Sequence, residues 1–170
     1  MIGRLGKKSG FTLIELLIYE GILAIFLIVL TDILVTSLNV QLESQAASAV
    51  DRDGPYLLDR LAYDVRRSQA IIQPNTDGTS QNVLELMIGG NTYTYSTASG
   101  NLTLAIASQS AVPLNSYDTQ ISQVNFLRLG NSGGNLDTIQ INLTLTSPTS
   151  LSSESEVRSF TTTVGRQPNQ

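Results

Sequence analysis

Apolar residues fill Phe11 to Val35, and the only charges among these 25 positions are Glu15, Glu20 and Asp32. As a helix this run reaches about 37 Å, enough to cross a hydrocarbon core of about 30 Å. Beyond it, Leu38, Leu42, Ala46 and Ala49 recur at helical spacing, which predicts that the helix continues to Val50. Asp51-Arg52-Asp53-Gly54-Pro55 interrupts the stripe. Gly54-Pro55 is predicted to break or kink the helix, with Pro55 suited to the first position of a new one. Leu57 or Leu58, Leu61, Val65 and Ser68 then resume a helical stripe to about Ala70, and Arg60 with Asp64 forms an i,i+4 pair.

After Pro74 the period changes to two. Asn75-Thr76-Asp77-Gly78 reads as a turn. Val83 to Ile88 and Thr92 to Ser96, joined by Gly89-Gly90-Asn91, read as a hairpin. Asn101 to Ala107 continues the meander, and a loop containing Pro113 follows. Ile121 to Leu129 alternates around Val124, Phe126 and Arg128. Thr138 to Thr146 alternates fully, with Ile139, Ile141, Leu143 and Leu145 on one face, the pattern of a sheet packed on one side and wet on the other. Ser147 to Glu156 reads as a Ser-rich loop, and a last strand starts at Val157 or Ser159 and ends at Val164. The expected fold is α+β: a long N-terminal α-helix, its first half transmembrane, its second half packed on an antiparallel β-sheet.

Composition narrows the chemistry. The chain has no Cys and no His among its 170 residues. Disulfides, thiol nucleophiles, the commonest zinc sites and Ser-His triads are therefore excluded. A hydrolase has little support without His or Cys, and Asp59 and Asp64, five apart on a helix, do not converge as a catalytic pair, so no catalytic residue is assigned. Charge is uneven. Arg4, Lys7 and Lys8 stand in the first ten residues without an acid, and the remainder, with seven Arg against fourteen acids, is formally −7. That balance argues against direct binding of nucleic acid. The three leading cations beside an apolar run place the N-terminus in the cytoplasm.

The apolar run is too long for the core of an ordinary secretory signal, and no obvious Ala-x-Ala cleavage site stands at its end. Within it, a carboxylate costs roughly 2.5–3.5 kcal/mol on insertion scales, which makes Glu15 a functional candidate. Lys7-Lys8-Ser9-Gly10 followed by Phe11-Thr12-Leu13-Ile14-Glu15-Leu16-Leu17 resembles the leader and helix start of type IV pilins and type II secretion pseudopilins. The resemblance implies cleavage between Gly10 and Phe11 by a prepilin peptidase, methylation of the new Phe11 amine, and an assembly role for Glu15, whose carboxylate meets the N-terminal amine of a neighbouring subunit. It further implies other pilin or pseudopilin subunits, an inner-membrane assembly platform and the lipid of the cytoplasmic membrane as partners, and no cofactor or metal. The implied location is the inner membrane, single-pass, and then a surface or periplasmic filament.

Two departures from the family pattern favour a minor subunit: a second acid, Glu20, within the span, and no helix-breaking Pro near its far end. Glu15 and Glu20 lie about 140° apart on the helical wheel. Glu20 is left with three readings: facing a partner helix, snorkelling, or protonated. The late strands, Ile121 to Leu129, Ile139 to Thr146 and Arg158 to Val164, also resemble those of minor pilins and pseudopilins. The organisation expected is a leader over 1–10, a transmembrane and assembly helix over 11–35, an extracytoplasmic amphipathic helix over 36–73 and a β-rich head over 74–170. The function expected is structural, not enzymatic, with a motility pilus, a competence pseudopilus used in DNA uptake and a type II secretion pseudopilus all open. The alternative is an unprocessed, signal-anchored surface domain, an adhesin or DNA receptor. Asn131, Asn135 and Asp137 form an oxygen-rich loop that is read as a solvated turn rather than a Ca²⁺ site, since calcium favours more carboxylates. Arg66-Arg67 is read as snorkelling beside the sheet or pairing with Asp64 rather than gripping DNA.

Overall fold

The computed structural model describes residues 10–130, 137–147 and 155–167. Of the sequence features above, the basic leader through Ser9, Asn131 and Asn135, and most of the Ser-rich loop lie outside these residues. The chain divides into two compact units, one through Val40 and one from Gln41 onward.

A single helix, α1, runs from Leu13 to Arg66. Its part within the first unit is apolar and exposed all round: Ile14, Leu17, Ile22, Phe26 and Ile33 are each more than half exposed. A helix that is apolar on every side is suited to lipid, and this one is long and apolar enough to cross a membrane.

In the second unit α1 becomes one-sided. Ala46, Ala49, Val50, Leu57, Leu61, Ala62 and Val65 are buried, and the last five share one core with the strands. The strands are β1 (Ala70–Gln73), β2 (Ser80–Gln81), β3 (Leu84–Ile88), β4 (Asn91–Ala98), β5 (Asn101–Ile106), β6 (Val112–Pro113), β7 (Gln120–Leu129), β8 (Thr138–Thr146) and β9 (Val157–Gly165). They form two antiparallel sheets, ordered β1-β3-β4-β5-β6 and β2-β7-β8-β9. Ile139, Ile141, Leu143 and Leu145 are all buried. Each fully buried aliphatic side chain contributes about 1.5–3 kcal/mol, so β8 is a main source of cohesion in its sheet. The β3–β4 hairpin closes with Ile88 opposite Asn91. Its two linking residues, Gly89 and Gly90, have φ of 58° and 78°, the pair of left-handed conformations that a tight hairpin turn needs.

The α+β class with one long helix is as the sequence predicts. Three details differ. The helix does not end at Gly54-Pro55 but runs on through both. Gly54 serves a close approach instead: a Cβ there would lie 2.3 Å from the ring of Phe160 on β9. Packing of the buried helix face outweighs the hydrogen bond that Pro55 cannot donate. Second, α1 stops at Arg66, not near Ala70, because the Ser68 amide and hydroxyl both turn back to the Val65 carbonyl, at 3.2 and 2.8 Å. Ala70–Gln73 is then free to pair with β3. Third, the described strands form two sheets rather than one.

Candidate functional site

Gly10 and Phe11 precede α1 and are open to their surroundings. A Cβ on Gly10 would meet nothing within 4 Å, and Phe11 is 76% exposed. Thr12 stands at the N-cap position. The Glu15 amide donates to Thr12 Oγ1 at 3.4 Å, and the Thr12 hydroxyl donates to Glu15 Oε2 at 3.5 Å. Thr12-Leu13-Ile14-Glu15 thus has the Thr-x-x-Glu form of a capping box, with the acid in the first turn where it also favours the helix dipole. This is a local role for Glu15 that the sequence reading did not separate from an intermolecular one, although the signature is visible in the sequence. Phe11 reaches forward to Tyr19, edge to face, with ring centroids 6.2 Å apart. Phe11, Glu15 and Tyr19 therefore belong to one side of the helix start. Glu20 is exposed and does not join them.

Two buried acids anchor α1 in the second unit, and sequence patterning foresees only one of them in part. Asp53 is 6% exposed. Its Oδ2 accepts from the Ser116 amide at 2.8 Å and from the Ser116 and Thr119 hydroxyls at 2.6 Å each, all on the segment between β6 and β7. Burial alone would raise this carboxyl's pKa, but the three donors outweigh it and hold it below the ordinary 3.8. Asn115, in the same segment, accepts from the Leu102 amide at 2.9 Å and donates to the Thr119 carbonyl at 2.7 Å. A folded-state pKa below the unfolded value means that the unfolded chain binds more protons as the pH falls. The Asp53 contribution is therefore complete above about pH 4–5 and fades as the pH drops through the depressed folded value. Denaturant unfolding of the wild type and of Asp53→Asn should show the wild type more stable by about 1–2 kcal/mol near neutrality, with the gap shrinking below pH 4. A gap that does not change with pH would remove this role.

Asp64 is fully buried. Arg60 Nε approaches its Oδ2 at 3.1 Å, and Arg67 reaches Oδ1 through Nε at 2.7 Å and Nη2 at 2.6 Å. The Tyr95 hydroxyl of β4 also donates to Oδ2. Burial first, and then the bond to Asp64, push the Tyr95 pKa well above its ordinary value, so it stays a neutral donor. The Arg67 guanidinium also lies over the Tyr63 and Tyr93 rings, 4.9 and 5.4 Å from their centroids. Arg67 is thus an internal tie, as the alternative of pairing with Asp64 predicts. Asp59 is exposed and apart from this cluster.

Of the oxygen-rich loop, Asp137 is described, and its carboxylate faces cations of the chain itself. Arg128 Nη2 donates to Asp137 Oδ1 at 2.7 Å, and Arg166 Nε lies 3.7 Å from Oδ2. Arg128 also donates to the Pro74 carbonyl at 3.0 Å. Its Nε sits 3.1 Å from Asp77 Oδ1 without hydrogen-bond geometry, a charge contact only. Among the described residues no three His, Cys, Asp or Glu side chains gather as a metal site requires. Ser44, Gln45, Ser48, Arg52, Tyr117 and Asp118 line an open groove of about 340 Å³, and Tyr117 is 93% exposed. Compared with protein-family models, with curated proteins and with solved structures, the chain matches none.

Proposed function

We propose that this chain is a pilin-like structural subunit, a minor one, of a type IV pilus, a competence pseudopilus or a type II secretion pseudopilus, and not an enzyme. The observation that carries the proposal is the junction itself. A cationic leader ends at an unobstructed Gly10-Phe11 bond, four residues before Glu15, at the mouth of an apolar helix. A peptidase needs an accessible bond, and Gly10 gives it the smallest side. Cleavage places a new amine on Phe11, the site of methylation, on the same side of α1 as Glu15. The subunit first sits in the cytoplasmic membrane through 11–35, with its N-terminus inside. It then passes through an assembly platform into a filament of like subunits, held by helix packing and by Glu15 pairing with a neighbour's amine.

Intact-mass and N-terminal peptide spectrometry of the protein from its native host tests this directly. The expected product begins at Phe11 and carries one methyl group, and a protein that still begins at Met1 refutes the proposal. The competing reading is an unprocessed surface-binding domain. The open groove beside Tyr117 supports it, and it predicts an intact leader and no effect of changes at Glu15.

A further inference from the structure

We propose that the face of α1 centred on Glu20 is a docking seam for the transmembrane helix of a different protein, one that brings a basic side chain to the depth of Glu20. The inference deepens the filament reading and rests on it for one step, the count of charges given below.

Depth makes Glu20 the costliest acid in the chain. Along a helix that enters lipid at Phe11, Glu15 lies about 6 Å deep, Glu20 about 14 Å and Asp32 about 31 Å, so only Glu20 is near the midplane of a core about 30 Å thick. Nothing in its own helix neutralises it. Its neighbours at three and four residues are Leu16, Leu17, Leu23 and Ala24, and the span from Phe11 to Val35 contains no Lys, Arg or His. An acid in this position faces a protein partner rather than lipid.

The face around Glu20 is aliphatic and carries two smaller residues. Ala24 and Thr31 lie within about 40° of it on the helical wheel, among Leu13, Leu16, Leu27 and Leu34. The Thr31 hydroxyl is already turned in to the Leu27 carbonyl at 2.8 Å, which leaves its methyl outward. Small residues of this kind let helix backbones approach in a membrane. Phe11, Tyr19 and Phe26, the bulky aromatics of the span, instead lie within about 40° of Glu15. The two acids thus mark two different faces, one aromatic and one of leucines with Ala24 and Thr31.

Charge balance favours a different protein over a second copy as the occupant of the Glu20 face. After cleavage each copy offers one amine and carries two carboxylates in the first half of the span, Glu15 and Glu20. A filament of identical copies leaves one deep acid per subunit without a cation. A partner helix that brings its own cation satisfies that acid.

The test uses full-length protein in phosphatidylcholine vesicles, labelled for energy transfer. The probes are two leucine–alanine transmembrane peptides, one with a single lysine at mid-membrane and one with leucine in its place. The lysine peptide should associate about three- to thirtyfold more strongly, the range for interhelical polar contacts in a membrane. Glu20→Gln should abolish the difference and Glu15→Gln should preserve it. Equal association of the two peptides, or a preference lost with Glu15→Gln and kept with Glu20→Gln, overturns the proposal. Because the chain has no cysteine, disulfide capture gives a second readout: Ala24→Cys copies should cross-link to each other less than Phe26→Cys copies. Preferential self-capture through Ala24→Cys also overturns it. N-terminal mass on the native-host protein reports the processing step separately, so failure of one idea is distinguishable from failure of the other.

Discussion

Asp64→Ala is expected to lower the stability of the second unit by about 2–4 kcal/mol, the largest effect of any single truncation outside the apolar core. Removing one member of a buried ion pair costs about 3–5 kcal/mol, because the partners are left uncompensated. The lower figure applies here because the Arg60 and Arg67 side chains are 37% and 36% exposed and can turn to water. The Tyr95 hydroxyl has no such escape, since the residue is fully buried. Its donor is left without an acceptor, at a cost of about 1–3 kcal/mol. Tyr95→Phe removes donor and hydroxyl together and leaves Asp64 with both arginines, so it should cost only about 1 kcal/mol. Thermal or urea unfolding of the two variants in detergent measures the contrast. A loss below about 1 kcal/mol for Asp64→Ala would show the cluster to be incidental.

This cluster marks the boundary of what sequence alone makes legible. Arg60, Asp64 and Arg67 are three and four apart, so their pairing follows from helix geometry. Tyr95, 31 residues further on, completes the cluster with no local signal. The same division holds across the fold. β8 was readable because four aliphatics alternate with polar residues and one face must be buried. Ile121 and Val124 are three apart, the wrong spacing for one face of a strand, yet both are buried. A register shift between Ile121 and Gln123 reconciles them, and a bulge leaves no trace in periodicity. Gly54-Pro55 misled for a related reason. Local rules assign those residues to a helix end, whereas the need for Gly54 comes from Phe160, more than a hundred residues away. Asp53 and its donors Ser116 and Thr119 are likewise joined only by tertiary structure. At the helix start the reverse is true: Thr12 pairs with Glu15 three residues on and Phe11 with Tyr19 eight residues on, all near one helix end, so the sequence alone carries that arrangement.

Glu15→Ala should move insertion and assembly in opposite directions, and that opposition separates the intermolecular role from the local one. Removing the carboxylate lowers the cost of holding the helix in lipid by up to about 2.5–3.5 kcal/mol, so the membrane-bound precursor should be at least as abundant as the wild type. If Glu15 pairs with the amine of a neighbouring Phe11, the same change leaves that amine unpaired in a low-dielectric helix bundle, and the share of subunit in sheared filaments should fall by about tenfold or more. Loss of the capping box alone costs only about 1 kcal/mol at one end of a long helix, too little to disperse a filament. Glu15→Gln decides between the two roles. Glutamine still accepts from Thr12 Oγ1, and it serves in capping boxes as glutamate does, but it carries no charge to set against an amine. Filament incorporation as poor as that of Glu15→Ala is the expected result, read by immunoblot of filament and membrane fractions. Full incorporation of the glutamine variant would reduce Glu15 to a helix cap and leave the neighbouring amine to find another partner.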